Sequence, residues 1–136
     1  MYSCSCCGKQ ARPSERLLRA KAALEAVTGC QFRVSSPCRC AKHNRNVGGS
    51  PKSQHLIDKD GVFHAFDLVP VDGSFHLSDL AIAAYYEVPE IGGVGLYEEH
   101  LHIDDRDYEG DKFSWVALKK RKPNGDVYFV YLKWSF

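Results

Sequence analysis

The sequence predicts an α+β domain in which two helices pack on a small antiparallel sheet with a C-terminal hairpin. Helix-capping signals at Ser14 and Ser78 predict the two helices. The turn Pro123-Asn124-Gly125-Asp126 stands between two runs rich in β-branched and aromatic residues, which predicts the hairpin. A chain of 136 residues can bury one ordinary core, so we predict a single domain over residues 1–136.

The first half of the chain contains one predicted helix and one long loop. Residues 1–12 are predicted to be irregular, and the helix begins at Ser14 and ends at Gly29, a residue typical of helix ends. Apolar residues recur at helical spacing between these points and predict a buried stripe: Leu17, Ala20, Leu24 and Val27. Residues 31–35 are a strand candidate. Gly, Pro and Asn crowd residues 36–52, so this loop is predicted not to be helical.

The second half is predicted to alternate between strands and one helix. A strand over residues 62–69 carries Asp67, and the helix over residues 78–86 has an acid, Asp79, at its positive end. Residues 91–96 are a strand with three glycines, which indicates close approach of another group to the backbone. Residues 100–104 are the next strand. The hairpin strands, residues 113–119 and 127–134, are interpreted as closing the sheet; a binding surface is the alternative for their aromatic residues, Trp115, Tyr128, Tyr131 and Trp134.

The charge and hydropathy of the chain exclude several classes of function. The net charge is +1, which argues against a nucleic-acid-binding protein. Residues 1–60 carry 11 Lys/Arg and 4 Asp/Glu, whereas residues 61–136 carry 7 and 13, so two differently charged faces are expected. There is no 18-residue apolar run, so no membrane span is expected. We find no signal-peptide pattern and expect synthesis in the cytoplasm.

All six cysteines lie in the first 40 residues: Cys4, Cys6, Cys7, Cys30, Cys38 and Cys40. Three interpretations stay open for them: thiols, a disulfide clasp formed after release, or a structural metal site. A reducing cytosol favours thiols. Their clustering at one end of the chain suggests a structural role.

Two histidines and an aspartate are candidates for an open zinc site. His55 follows the long loop, Asp67 lies on a predicted strand, and His102 lies on the strand over residues 100–104. Three protein ligands leave the fourth position of zinc for water, which can become a nucleophile near neutral pH. We therefore predict a small zinc hydrolase.

The same residues belong to a series of short motifs that resembles the zinc D-alanyl-D-alanine carboxypeptidase family. That family shares its fold with the hedgehog signalling domain and with phage endolysins that cleave peptidoglycan. The resemblance covers roughly residues 30–115, and the cysteine-rich start is also similar. The motifs, in chain order, are Ser36-Pro37-Cys38-Arg39-Cys40, His43-Asn44, Val47-Gly48-Gly49-Ser50-Pro51, Ser53-Gln54-His55, Ala65-Phe66-Asp67-Leu68, Gly92-Gly93-Val94-Gly95-Leu96-Tyr97, His102-Ile103-Asp104 and Trp115.

The resemblance implies a function and roles for particular residues. It implies zinc bound by His55, Asp67 and His102, with a peptidoglycan stem peptide as the partner and substrate. It also implies that Arg39 binds the substrate carboxylate or the developing oxyanion and that Ser53 contacts the substrate. Arginine suits such a role because its planar fork binds carboxylates with two hydrogen bonds.

Two departures from the family pattern affect the site. His55 and Asp67 are twelve residues apart, which is wider than the family spacing, and we place an insertion within residues 57–64. The insertion contains other candidate ligands: Asp58, Asp60 and His64. The residue before Arg39 is a cysteine where the family usually has an aromatic residue.

The acid that moves the proton has three candidates. Glu99 stands three residues before His102, as in the related enzymes, and is our first choice. Glu98 and Asp104 are the alternatives, because they share the face of His102 in a regular strand. His100 lies on that face as well and is expected to hydrogen-bond the tetrahedral intermediate or to support a ligand.

Several alternatives concern the function as a whole. Sequence does not separate a carboxypeptidase from an endopeptidase, and it carries no signal for an oligomeric state. A non-catalytic zinc module that binds cell wall, or a phage structural piece, is the rival interpretation; release by a phage to act on the wall is the expected route for the enzyme. A nuclease is a second rival because of His43-Asn44. We assign His43 and His76 structural roles.

Overall fold

The computed structural model of the chain describes residues 1–4, 8–36, 38–46 and 52–134, and at positions 41, 43 and 46 it describes the backbone alone. Two longer helices and one short helix are interspersed among nine strands in these ranges. The helices are α1 (Glu15–Thr28), α2 (Ala41–Asn46) and α3 (Leu77–Glu87). The strands are β1 (Tyr2–Ser3), β2 (Gln10–Pro13), β3 (Phe32–Ser36), β4 (Val62–Phe63), β5 (Ala65–Pro70), β6 (Gly93–Leu96), β7 (Leu101–Asp104), β8 (Phe113–Arg121) and β9 (Val127–Lys133).

The strands form two sheets. A six-stranded sheet has the order β3-β5-β7-β6-β8-β9, and a three-stranded sheet has the order β1-β2-β4. Strands β6 and β8 are parallel, as are β2 and β4. The α+β class is therefore confirmed. The predicted small antiparallel sheet is only partly matched, because most neighbouring strands are antiparallel but each of the two sheets contains one parallel pair.

The six-stranded sheet has one apolar face and one face that carries chemistry. Phe66, Leu68, Leu101 and Ile103 point to one side and are fully buried in the core that α1 and α3 cover. Side chains alternate along a strand, so the intervening residues point to the other side. One row of paired residues crosses that second face: Asp67, His102, Gly95, Trp115 and Lys133.

Helix α1 begins and ends where the sequence predicts. The Ser14 Oγ accepts a hydrogen bond from the Leu17 N–H at 3.0 Å and donates one to Asp105. Gly29 ends the helix with a positive φ of 72°, a conformation that glycine adopts without steric cost. Val27 is 47 % exposed, so its predicted place in the buried stripe is wrong.

Other local predictions fail for two physical reasons. Helix α2 lies inside the loop that was predicted not to be helical. That prediction is wrong here because the six residues of α2 contain neither Gly nor Pro, the residues that oppose a helix. Strand β1 and most of β2 lie in the segment predicted to be irregular. They were missed because they form by pairing with each other and, in β2, with the distant β4, and no local sequence pattern indicates this pairing. For the same reason the predicted strand over residues 62–69 divides at His64 between the two sheets.

The later elements agree more closely with prediction. Helix α3 begins one residue early, and its cap position is occupied by His76 without a side-chain hydrogen bond, so the role predicted for Ser78 is wrong. Strands β8 and β9 form the expected hairpin around Gly125, and β9 is an edge strand of the sheet. No helix in the described ranges is long and apolar enough to cross a membrane.

Candidate metal centre

Three buried side chains from separate elements meet on the polar face of the large sheet. Asp67 on β5 and His102 on β7 are direct cross-strand partners. His55 comes from the segment after the long loop, and a parallel bridge between its neighbour Leu56 and Arg39 holds that segment in place. The Arg39 N–H donates to the His55 carbonyl at 2.8 Å. The fold therefore brings together the three residues predicted as ligands.

The donor atoms of this triad have the spacing that a single metal ion requires. The Asp67 Oδ1 lies 3.1 Å from His55 Nε2 and 3.3 Å from His102 Nδ1, and all three donor atoms lie within 4.8 Å of one another. Ligands held about 2.0–2.1 Å from zinc at tetrahedral angles are separated by about 3.3 Å. Two imidazoles and a carboxylate are also a donor set that zinc accepts. The residues therefore fit a zinc ion.

The surrounding charges keep Asp67 ionised. Burial alone would raise the pKa of Asp67, but hydrogen bonds with His102 and His55 outweigh burial and lower it well below its ordinary value. An ionised carboxylate is the form that binds a metal.

A carboxylate behind His102 orients its ring. The His102 Nε2 lies 2.7 Å from Asp104 Oδ2, while Nδ1 faces Asp67. Arg106 donates to both Asp104 oxygens, at 2.8 and 2.6 Å, and Asp104 is fully buried. Burial would lower the pKa of His102, but Asp104 and Asp67 raise it to about 9. Such an outer carboxylate fixes the tautomer and orientation of a ligand histidine.

Two glycines of β6 make room for this arrangement. A Cβ at Gly93 would collide with the Asp104 carboxylate, and a Cβ at Gly95 would lie 2.6 Å from the Trp115 indole. The predicted close approach at the glycine-rich strand is therefore present. The Trp115 ring crosses Gly95 toward His102, with the two ring centroids 5.0 Å apart.

The triad lines a cleft of about 570 Å³ with two chemically different walls. One wall is polar and cationic. The other consists of aromatic rings. The polar wall comprises Arg39, Lys52, Ser53 and Gln54, and the aromatic wall comprises Tyr97, Trp115, Phe129 and Tyr131.

Arg39 and Ser53 lie beside the triad, and their roles toward a substrate stay predictions. Both line the cleft beside His55, and the Ser53 Oγ accepts a hydrogen bond from the His55 N–H at 3.2 Å. The Arg39 Nη1 donates to Asn44 Oδ1 at 3.1 Å, and Asn44 is only 2 % exposed. We did not predict this contact; the signal that could have revealed it is the shared His43-Asn44 motif in a segment otherwise expected to be a loop.

The candidates for moving a proton lie in different places. His100 lines the cleft, and its Nε2 is 3.6 Å from Asp67 Oδ2. Its ring stacks on Tyr97 with centroids 4.3 Å apart, and burial lowers its pKa. Glu98 and Glu99 are exposed in the connection between β6 and β7, and neither lines the cleft.

The other candidate ligands in the insertion, and the histidine assigned a structural role at position 76, lie outside the triad. His64 contacts Asp58 and Asp105, at 3.2 and 3.1 Å, so these side chains form a separate cluster. Asp60 is exposed, and so is His76. The prediction for the side chain of His43 falls outside the described residues.

The N-terminal cysteines contact the segment that carries Arg39. The Cys40 N–H donates to the Cys4 Sγ at 3.4 Å, and Cys4 and Cys38 are buried. Cys30 is buried in the main core. Cys6 and Cys7 lie outside the described residues, so a structural role for the cluster stays a prediction.

The fold and the site together define a protein in which two histidines and one carboxylate could hold a metal ion in an open cleft. Comparison with protein families identifies the group within this class. The sequence profile of the family described as Peptidase M15 matches residues 3–104, and the chain belongs to that family of zinc D-Ala-D-Ala carboxypeptidase-like proteins. No curated protein sequence matches the chain.

Proposed function

We propose that the protein is a zinc-dependent peptidase that hydrolyses D-amino-acid amide bonds in peptidoglycan stem peptides. It would act as a D-Ala-D-Ala carboxypeptidase or as a related endopeptidase. The observation that carries this proposal is the convergence of His55, Asp67 and His102 in the cleft that also presents Arg39. Membership of the Peptidase M15 family supports it. Release by a phage to reach the wall remains a prediction.

Each group in the cleft has a distinct task in this reaction. Zinc, when bound by the triad, would act as a Lewis acid toward the substrate carbonyl and would lower the pKa of its bound water to near neutrality. The Arg39 guanidinium binds the substrate carboxylate or the oxyanion, and Asn44 holds it in place through Nη1. Ser53 and Lys52 stand on the same wall and can bind the substrate backbone or its carboxylate.

Proton transfer to the leaving amine falls to His100 or Glu99. The Nε2 of His100 already faces the triad, 3.6 Å from the Asp67 Oδ2, and an imidazole can accept and return a proton. Glu99 would have to turn inward from its exposed position. We therefore propose His100 as the proton carrier and keep Glu99 as the alternative. Comparison of turnover in His100→Gln and Glu99→Gln, at equal zinc content, decides between them.

Metal analysis tests the ligand assignment. We expect His55→Ala, Asp67→Ala and His102→Ala each to lose the tightly bound zinc ion that the wild type holds. His76→Ala is the control, because this exposed histidine lies outside the cleft and should leave zinc content unchanged. Full zinc content in any of the three ligand variants would disprove the role of that residue.

The substitution Arg39→Lys separates an enzyme from a binding module. Lysine keeps the charge but loses the fork geometry, so zinc content and thermal stability should stay close to wild type. Release of amino acids or amines from purified cell wall should fall on the order of 10²-fold, the size of effect seen when an oxyanion donor is removed. A zinc-loaded wild type that hydrolyses none of the cell-wall substrates would refute the catalytic proposal.

A further inference from the structure

Part of the cleft is built by residues that follow the segment matched to the family. The match ends at residue 104, whereas Trp115, Phe129 and Tyr131 of the β8–β9 hairpin line the same cleft as the metal ligands. The hairpin thus adds a wall to a site whose ligands all lie within the matched segment. A wall of this kind can determine which substrates the site accepts.

The outer part of this wall is a pair of exposed rings on one face of β9. Phe129 and Tyr131 are 41 % and 59 % exposed, their ring centroids are 6.2 Å apart, and their planes differ by 35°. The Tyr97 ring supports Phe129 at 5.8 Å. On β8, Lys119 stands opposite Phe129, and the small, buried Ala117 stands opposite Tyr131. Phe129 and Tyr131 are called the ring pair below.

The ring pair lies at the end of the cleft away from the triad. Strand β9 is the third strand from β7, which carries His102. Two rings stand between the ring pair and the triad. Tyr97 lies 5.8 Å from Phe129 and stacks on His100 at 4.3 Å, and the His100 Nε2 lies 3.6 Å from the Asp67 Oδ2. A substrate that reaches both places therefore touches the ring pair with a remote part of its structure.

We propose that the ring pair is a stacking subsite for a sugar ring of the glycan strand to which the stem peptide is attached. This inference rests on the proposed function and names a further part of the same substrate. The stem peptide of peptidoglycan is joined to a sugar at its amino end, so a sugar lies a few residues from the amide that is cleaved. The position of the ring pair, with Tyr97 and His100 between it and the triad, agrees with that arrangement.

The chemistry of the ring pair favours a sugar over an amino-acid side chain. One face of a pyranose carries C–H groups, whose partial positive charge packs against the negative face of an aromatic ring. The hydroxyl groups at the rim of the sugar stay in water or hydrogen-bond to the Tyr131 hydroxyl. An apolar side chain would gain more from an enclosed pocket than from a surface that is half exposed.

Two measurements test the subsite with Phe129→Ala and Tyr131→Ala. Tyr128→Ala is the matched control, because Tyr128 is a neighbouring aromatic residue, 43 % exposed, on the opposite face of β9. The first measurement uses titration calorimetry to determine the affinity for a peptide-free tetrasaccharide of N-acetylglucosamine and N-acetylmuramic acid. The second compares kcat/KM for a free stem peptide and for the same peptide joined to the disaccharide.

We expect the wild type and Tyr128→Ala to bind the tetrasaccharide and to prefer the disaccharide-linked peptide. Tyr131→Ala and Phe129→Ala should each weaken binding roughly tenfold and remove the preference, as expected for one lost stacking contact. Binding should change little with salt, because stacking involves no released counterions. Zinc content and circular dichroism equal to wild type would show that the variants are folded.

The outcomes distinguish this inference from the proposed function. Hydrolysis of both peptides with equal kcat/KM, and no tetrasaccharide binding, would overturn the subsite alone. Tetrasaccharide binding that depends on Tyr131, with hydrolysis of neither peptide, would support the subsite and refute the peptidase. A wild-type dimer that Tyr131→Ala dissociates, seen by sedimentation, would assign the ring pair to a second copy and overturn the subsite.

Discussion

The substitution Gly95→Ala should show how closely the metal site depends on a missing side chain. A Cβ at Gly95 would stand 2.6 Å from the Trp115 indole, whereas ordinary contacts of a Cβ begin at 3.4 Å. The indole must therefore withdraw by about 0.8 Å or more. It has little freedom to do so, because the Arg106 guanidinium lies 5.4 Å from its ring and its Nε1 donates to the Tyr97 hydroxyl at 3.3 Å.

The expected loss of stability follows from this overlap. Overpacking of a well-packed region typically costs about 1–3 kcal/mol. Alanine also restricts the unfolded chain, which contributes about 0.4–1 kcal/mol in the opposite direction. We therefore expect Gly95→Ala to lower the free energy of unfolding by about 1–2 kcal/mol. The displaced indole packs on His102, so zinc affinity should fall as well.

Urea unfolding followed by far-UV circular dichroism measures the first effect, and zinc competition with a chelator measures the second. Gly73→Ala is the matched control, since its Cβ would meet no atom within 4 Å and its φ is not in the left-handed region. That variant should be as stable as wild type or slightly more stable. Equal stability of the Gly95 and Gly73 variants would refute the packing argument.

A double-mutant cycle assigns the cost to the indole. In a Trp115→Phe background the smaller ring leaves space, so Gly95→Ala should cost less by at least about 0.5 kcal/mol, the lower end of couplings between residues in contact. An unchanged cost in that background would show that the strain arises elsewhere in β6.

Three further predictions concern other parts of the chain. Ser14→Ala should lower the free energy of unfolding by about 1 kcal/mol in urea unfolding, because it removes the cap of α1, whereas Ser78→Ala should be near neutral because Ser78 forms no cap. Asp104→Asn should weaken zinc binding about 10–100-fold in chelator competition, since it disturbs the partner that orients His102. Burial would lower the pKa of His64, but its two carboxylate partners raise it above 6.5, so the cluster stabilises the fold fully below pH 6.5 and less as pH rises through the raised pKa. The Tm difference between wild type and His64→Gln should therefore shrink with rising pH; a difference that grows would contradict the assigned direction.

Local sequence signals predicted the elements whose stability is local. The Ser14 cap, the Gly29 stop and the Gly125 hairpin depend on residues within a few positions of one another, and each is present in the structure. The three-stranded sheet was missed because β2 and β4 are about fifty residues apart in sequence and pair without a distinctive pattern of their own. Pairing of this kind is decided by the packing of the whole domain.

The triad of candidate metal ligands was predictable for a different reason. A motif fixes both residue type and order, so Asp67 could be selected over Asp58 and Asp60 although the spacing to His55 was unusual. The structure places Asp67 in the triad and turns Asp58 toward His64. The sequence left the role of Asp104 undecided. The alternation of side chains along a strand placed Asp104 on the same face as His102, but it did not show how deeply the carboxylate would be buried. Its complete burial behind His102 makes it an orienting partner in the structure.

The division of the cleft between two segments explains why substrate choice was harder to predict than chemistry. The triad and Arg39 lie within the segment that the family profile matches, whereas the outer aromatic wall comes from the hairpin beyond it. Because the sheet places β8 next to β6, the row that begins with Asp67 continues through Gly95 to Trp115, so the hairpin is coupled to the metal site by direct side-chain packing. A change in the hairpin can therefore alter the substrate without changing a ligand. A change in Gly95 should affect both, since its missing side chain is what allows the wall to reach His102.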